Sequence, residues 1–446
     1  MTAAIIGAGI AGLTAAYELV KAGERPFVIE PGAIGGMLRS KQHDGFTLEC
    51  GPNVIVERPE MTELLHELGL YDSVCHPAVN PYGQYVWYRN RAVKVPSGPG
   101  GLVTSPLFSL GAKVMLPLKL FVPGILPRAQ ADYSVADFIA PLIGRHATAH
   151  LLDPVLKGIY GGNVGELSAR SIFPGLWGSA QEGRSIVGYM TSRPTRGKPP
   201  IMVLRGGIQR LAESLWEKVS PHVQHIRDRA ERISSIDGKR YRISLAEGRQ
   251  IEVDGCIVTS AGQSAAQLTN HLSERLSERL MAMRYASLTV VHLSVPRSEA
   301  LIPAAFGVLF PGGMPLDLLG VMFNSLIFPH VAPPDRHILT VMLGGAQAGD
   351  TQRGEDEVRS ELPKLLRSLL GFDGVEWLDI LHWNGAIPQL TMGHYQLVES
   401  LDACEREFPG VVFASVDRGG IGVSDRIRIA RDAVRRFRKV RVETVV

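Results

Sequence analysis

Short apolar runs and longer amphipathic stretches alternate from the first residues of the chain, as expected where strands feed helices in a layered α/β fold. Residues 2–6 form an apolar run too short for a helix. Behind it Ile10, Leu13, Tyr17 and Val20 recur at helical spacing, and Gly23 ends the helix. Residues 26–29 read as a second strand with Glu30 at its end. Farther along, residues 201–211 lead a strand into a helix carrying Leu211, Leu215 and Val219, and further strands are predicted at 232–236, 240–245 and 250–258. Residues 410–414 read as a strand, 417–425 as a glycine-rich turn, and a helix follows from about Ser424. Between about 100 and 200 the pattern is mainly helical. Its stretch 101–127 comes nearest to a membrane span, but Pro106, Lys113, Pro117, Lys119 and Pro123 interrupt it, so no transmembrane helix is predicted.

Composition narrows this picture without redirecting it. A chain of 446 residues is too long for one core and implies two or three structural units. With 45% hydrophobic and 20% charged residues it reads as a globular protein, and a net charge of +3 gives no reason to expect a nucleic-acid partner. The basic tail (Arg426, Arg428, Arg431, Arg435, Arg436, Arg438, Lys439, Arg441) reads as a solvated last helix, since only Phe437 is interleaved for stacking. Cys50, Cys75, Cys256 and Cys404 stand alone, which argues against a metal ribbon or redox dithiol and fits a reducing, cytoplasmic setting. No secretory signal is evident. His146 and His150 lack an HExxH context and read as a solvated helix face, so no metal site is expected.

Candidate chemistry begins between the first strand and its helix, at Gly7-Ala8-Gly9-Ile10-Ala11-Gly12. Gly7 makes the tight turn, Gly9 lets backbone approach a pyrophosphate, and Gly12 lets helix and strand pack closely. The helix start at Ile10 and Ala11 then offers N–H groups and a positive dipole end to phosphate. Glu30 is placed to accept hydrogen bonds from a ribose diol. Gly35 and Gly36 follow the second strand and can pass under a pyrophosphate that Arg39 can neutralise; Gly51, Pro52 and Asn53 come next. The paired glycines turn the cradle towards FAD. A second GxGxxG is absent, because 205–208 and 343–346 lack the pattern. A pyridine-nucleotide reductase would need one, so electrons are expected to pass to oxygen or a quinone.

The stretch 35–53 resembles the amine-oxidase-like flavoprotein superfamily. Residues 152–174, 305–311, 323–329, 339–345 and 383–394 occur in the order of its porphyrinogen oxidase branch. The resemblance implies a discontinuous Rossmann-like FAD domain (1–55, 200–265 and 405–446), a mixed-sheet substrate domain (56–99 and 266–404) and a mainly helical insertion (100–199), that is, α/β with α+β insertions. It implies adenine contact at Ala230, and flavin or ribityl contacts at Val416, Ile421, Gly422 and Val423. For a tetrapyrrole substrate it implies contacts at Asn53, Gln84, Gly158, Gly162, Phe306, Gly307, Leu309 and Met342. Read without the family, Leu309 and Met342 are ordinary strand core.

The sequence departs from the branch in two places. Gln84 stands where an arginine often pairs with a propionate, and Ser415-Val416 replaces the usual Gly-Asn or Gly-Ala. Gln84 can hydrogen-bond but cannot make a bidentate ion pair. The expected activity is oxidation of a porphyrinogen, protoporphyrinogen IX or coproporphyrinogen III, by six electrons. An amine or a carotenoid precursor is the other substrate class that fits. The resemblance also favours a peripheral membrane surface over a buried lid for 101–127, with Lys113 and Lys119 reaching towards head groups. A homodimer stays open.

Overall fold

β1 (Ala3–Ile6), α1 (Ile10–Lys21) and β2 (Phe27–Ile29) form a βαβ start in a computed structural model that describes residues 2–78, 83–128, 131–192, 199–297, 305–346 and 353–445. β1 and β2 enter a parallel five-stranded sheet ordered Gln224–Ile226, β2, β1, Gly255–Val258, Val411–Phe413. Three distant parts of the chain therefore build one sheet. Every residue of β1 is buried because such a sheet is covered on both faces. Ala3 and Ile5 join α1 and the last helix (Val423–Val445) in one core, while Ala4 and Ile6 join a three-stranded antiparallel sheet and the helix Gly262–Thr269 in another.

The stretch 250–258, expected as one strand, is two. Gln250–Val253 pairs antiparallel with Tyr241–Leu245, whereas Gly255–Val258 runs parallel between β1 and Val411–Phe413. One straight strand cannot serve both sheets, and the chain steps across at Asp254-Gly255. A Cβ on Gly255 would lie 2.5 Å from the Gly410 carbonyl oxygen, which is why the crossing needs glycine.

The second half is a seven-stranded sheet in the order Glu376–Pro388, Tyr285–Pro296, Arg336–Gly344, Leu318–Met322, Gly307–Leu309, Gln84–Tyr88, Arg91–Lys94. The helix Glu355–Leu370 covers one face, packing Val358, Leu362 and Leu366 on Val291, Val308, Val321 and Val341. The opposite face looks towards the nucleotide half at one end and, at the other, towards the helices between 98 and 192. The helix Pro59–Glu67, grouped above with the substrate half, shares the core of the nucleotide half through Met61, Leu64 and Leu65. Among the described residues, no helix is long and apolar enough to cross a membrane.

Candidate active site

The turn from β1 into α1 has the geometry the glycine spacing requires. Gly7 sits at φ +102°, and a Cβ on Gly12 would lie 1.9 Å from the Gly7 carbonyl oxygen. Gly9, by contrast, has no atom within 4 Å of a Cβ position, and no side chain caps the helix start. The Ile10–Gly12 end of α1 thus presents backbone N–H groups to open space, which suits a pyrophosphate. Gly36 packs within 3.1 Å (Cβ position) of the Gly9 Cα, so the paired glycines lie against the turn. Glu30 accepts the Ala8 N–H at 2.9 Å and the Gly32 N–H at 2.8 Å, which holds its carboxylate at the mouth of the cradle. Its N–H donates to the Ile226 carbonyl at 3.0 Å, and the chain returns beside it to the half-buried Ala230. These groups fit a dinucleotide.

Arg39 lies exposed near them, donating to the Gly36 carbonyl at 3.1 Å and stacked 5.2 Å from the Trp383 ring centroid. Trp383 in turn donates to the Cys50 carbonyl at 2.6 Å, so the strand Glu376–Pro388 grips the segment leading into Gly51, Pro52 and Asn53. Asn53 is buried, and its side-chain carbonyl accepts from Asn324 at 3.3 Å across the two halves. At the far end of the chain, Val416 and Ile421 are half-buried, Gly422 is exposed and Val423 is buried at the start of the last helix.

Four of the expected substrate residues share one sheet face. Gln84 pairs with Gly307, Leu309 with Gly320, and Gly320 with Met342, so side chains from four neighbouring strands form adjoining rows. This is the face opposite the helix Glu355–Leu370. Gly158 meets it from the helix Asp153–Tyr160, where a Cβ would lie 2.5 Å from Leu309 Cδ2. Gly162 is enclosed by Gln389 and Leu167 instead, and Phe306 packs on the nucleotide-half core.

Several buried polar groups escaped the pattern reading. Glu49 is buried between the halves, accepting from the Ser40 hydroxyl at 2.6 Å and the Ile208 N–H at 2.9 Å; burial outweighs these bonds and raises its pKa to about 7. His292, on the substrate sheet, contacts the Glu49 carbonyl through Nε2 at 3.2 Å, and burial lowers its pKa to about 4. A charged residue in an otherwise apolar run (Phe46, Leu48, Glu49) was the available signal. Cys50 and Cys404 are pushed up to about 11 and about 12 by burial, which keeps both thiols unreactive. Among the described residues no group of three or more potential metal ligands occurs.

Three surface readings need correction. Lys119 does not reach outwards; its ammonium donates to the Pro141 carbonyl at 2.7 Å. His146 and His150 are not a solvated face, since they pack on each other at 4.6 Å and on Tyr88. Arg426 and Arg431 in the basic tail are buried: Arg426 holds the Gly419 and Gly420 carbonyls at 2.6 and 2.7 Å, and Arg431 pairs with Glu18 at 2.7 Å. In each case the partner lies on another element.

With the geometry in view, comparison with known proteins decides the family. The profile of the family described as "Flavin containing amine oxidoreductase" matches residues 10–422. The chain belongs to this family. It is an FAD-dependent oxidoreductase. It is 27% identical to protoporphyrinogen oxidase 2, chloroplastic/mitochondrial, of Arabidopsis thaliana, over 95% of this chain and 91% of that protein. It is 24% identical to coproporphyrinogen III oxidase of Bacillus subtilis, over 96% of each. Among solved structures, a provisionally named protoporphyrinogen oxidase of Exiguobacterium superposes with a TM-score of 0.81 at 22% identity, covering 97% of this chain and 98% of that one. Cyclohexylamine oxidase of Brevibacterium oxydans superposes with a TM-score of 0.72 at 16% identity, over 100% of this chain and 99% of its own. At these identities the structural likenesses speak for the fold.

Proposed function

We propose that this flavoprotein oxidises a porphyrinogen, protoporphyrinogen IX or coproporphyrinogen III, to the porphyrin, passing electrons to oxygen or a quinone. The observation that carries this reading is the shared sheet face, on which Gln84, Gly307, Leu309 and Met342 form one mainly apolar floor between the nucleotide half and the helices. Gly7, Gly9, Ile10, Ala11, Gly12, Glu30, Gly35, Gly36 and Arg39 are proposed to hold the ADP part of FAD, with Ala230 at the adenine. Gly51, Pro52, Asn53, Val416, Ile421, Gly422 and Val423 are proposed to surround the flavin end. When bound, FAD supplies the hydride acceptor. The chain's task is then to orient a flat apolar macrocycle and keep water out; no side-chain acid or base is required of it, because aromatisation of the product drives the reaction.

Aerobic incubation with each porphyrinogen, followed by porphyrin fluorescence, tests this. Turnover above autoxidation with one of them is expected, and none with either rejects the reading. Gln84 favours a second reading, an apolar amine or a carotenoid precursor, because it cannot pair with a propionate as an arginine would. A membrane setting, on the inner face of the cytoplasmic membrane, is part of the proposal. Leu110, Val114, Leu118 and Phe121 are 81%, 69%, 61% and 68% exposed along one face of the helix Leu110–Lys119 and its extension. A contiguous apolar patch of this kind suits an interface. Co-sedimentation with vesicles should fall when Leu118→Glu is introduced.

A further inference from the structure

The turn 415–422, which the proposed function sets against the flavin, is held from behind by a polar network that the glycine motif does not demand. Asp417 is fully buried, and its carboxylate meets uncharged donors: the Tyr285 hydroxyl at Oδ1, and the Gly262 N–H at Oδ2, 3.1 Å away. Its backbone carbonyl accepts from His394 Nε2 at 2.7 Å. A carbonyl cannot donate, so Nε2 carries the proton; burial lowers the His394 pKa and favours the neutral ring, which leaves Nδ1 to accept from the Ser171 hydroxyl at 2.9 Å.

These partners come from four places. Tyr285 opens a strand of the substrate sheet, and Gly262 opens a helix of the nucleotide half. His394 begins the helix His394–Glu407, and Ser171 lies in the short helix Ala169–Ile172 of the helical region. The fit is close, since a Cβ on Gly262 would lie 2.8 Å from the Tyr285 ring. Arg426 meanwhile draws the Gly419 and Gly420 carbonyls inwards. Burying a carboxylate costs free energy unless its hydrogen bonds are kept in place, so this arrangement is held by its geometry.

We propose that Asp417 is a positioning residue for FAD: locked between Tyr285 and Gly262, it sets the turn 415–422 against the cofactor, and the Ser171–His394 limb ties that setting to the helical region. The proposal rests on the reading that this turn contacts FAD.

Titration of the apo-protein with FAD, followed by flavin fluorescence and by visible circular dichroism of the bound flavin, tests it. Asp417→Ala should weaken FAD binding about tenfold or more and alter the dichroism, the scale expected when hydrogen bonds to a buried group are lost. Asp417→Asn should stay within about threefold of wild type, because its amide can serve both Gly262 and a reversed Tyr285 hydroxyl. If Asp417→Ala does not fold, Tyr285→Phe keeps the packing, and at least about threefold weakening is expected of it. Wild-type affinity and dichroism in Asp417→Ala, or in Tyr285→Phe where it stands in, overturns the proposal. So does Asp417→Asn binding as weakly as the alanine variant. Ser171→Ala and Tyr285→Phe should combine non-additively by about twofold or more, and strict additivity removes the Ser171–His394 limb. If wild-type protein itself takes up no FAD, the underlying reading fails instead.

Discussion

The proposed nucleotide site is built from backbone, whereas the proposed substrate face is built from side chains borne on strands. Gly12 stands against the Gly7 carbonyl, and the space at Gly9 is open. Leu309 and Met342 are set in place by register with Gly320 and contribute only shape. A backbone site tolerates few residue types at fixed spacing, because only glycine reaches those conformations and distances. A face made of apolar side chains accepts any set of similar volume, and so constrains sequence weakly.

The sharpest way to break this comparison lies inside the cradle itself. Gly12→Ala puts a Cβ 1.9 Å from the Gly7 oxygen, so strand and helix must part. Destabilisation of about 3 kcal/mol is expected, together with loss of FAD binding. Gly9→Ala meets nothing within 4 Å, so the apo-protein should melt as wild type does while FAD binds about tenfold more weakly or worse. Thermal melting of both apo-proteins beside FAD titration separates the two effects. Equal melting losses would mean that Gly9 is a packing residue and not a contact for phosphate.

The same contrast explains what was legible beforehand. β1, α1, β2 and Glu30 lie within the first thirty residues, and their spacing alone places them. That Gln84, Gly307, Leu309 and Met342 share a face needed a resemblance, because strand order decides it and strand order is a tertiary fact. Residues 250–258 misled for a related reason: an unbroken β pattern does not say that the chain changes sheet at Gly255. The contact between His292 and Glu49 spans 243 residues, and no local pattern announces it. Arg426 and Lys119 looked solvated because each has its carbonyl partner on another element or turn.

Glu49 and His292 join the two regions, and their titrations oppose each other. The Glu49 pKa is raised from 4.5 to about 7 in the folded state, so the folded protein holds the extra proton and stability falls as pH rises through that window. His292 is lowered from 6.5 to about 4, so stability is lost as pH falls through its window. In wild type the two slopes largely cancel between pH 4.5 and 6.5. Glu49→Gln keeps an acceptor for the Ile208 N–H and removes one slope. Relative to wild type it should gain nothing below pH 4.5 and up to about 3 kcal/mol by pH 7, measured by urea unfolding across pH. A difference that does not change with pH would show that Glu49 is not titrating in the seam.

The smallest effect is expected on the substrate face, where it also tells shape from chemistry. Gly158→Ala alone drives a Cβ to 2.5 Å from Leu309 Cδ2, at the far end of a side chain that can rotate, so a loss of about 1 kcal/mol is expected. Leu309→Ala alone opens a half-buried gap and should cost about 1–2 kcal/mol, with KM for the substrate raised more than kcat is lowered. In the double variant the new methyl enters the space that leucine vacated. Its loss of stability should therefore fall short of the sum of the single losses by at least about 0.5 kcal/mol. If the positions only pack, KM recovers with stability. If Leu309 itself touches substrate, stability returns while KM stays high, and that split locates the substrate against this strand.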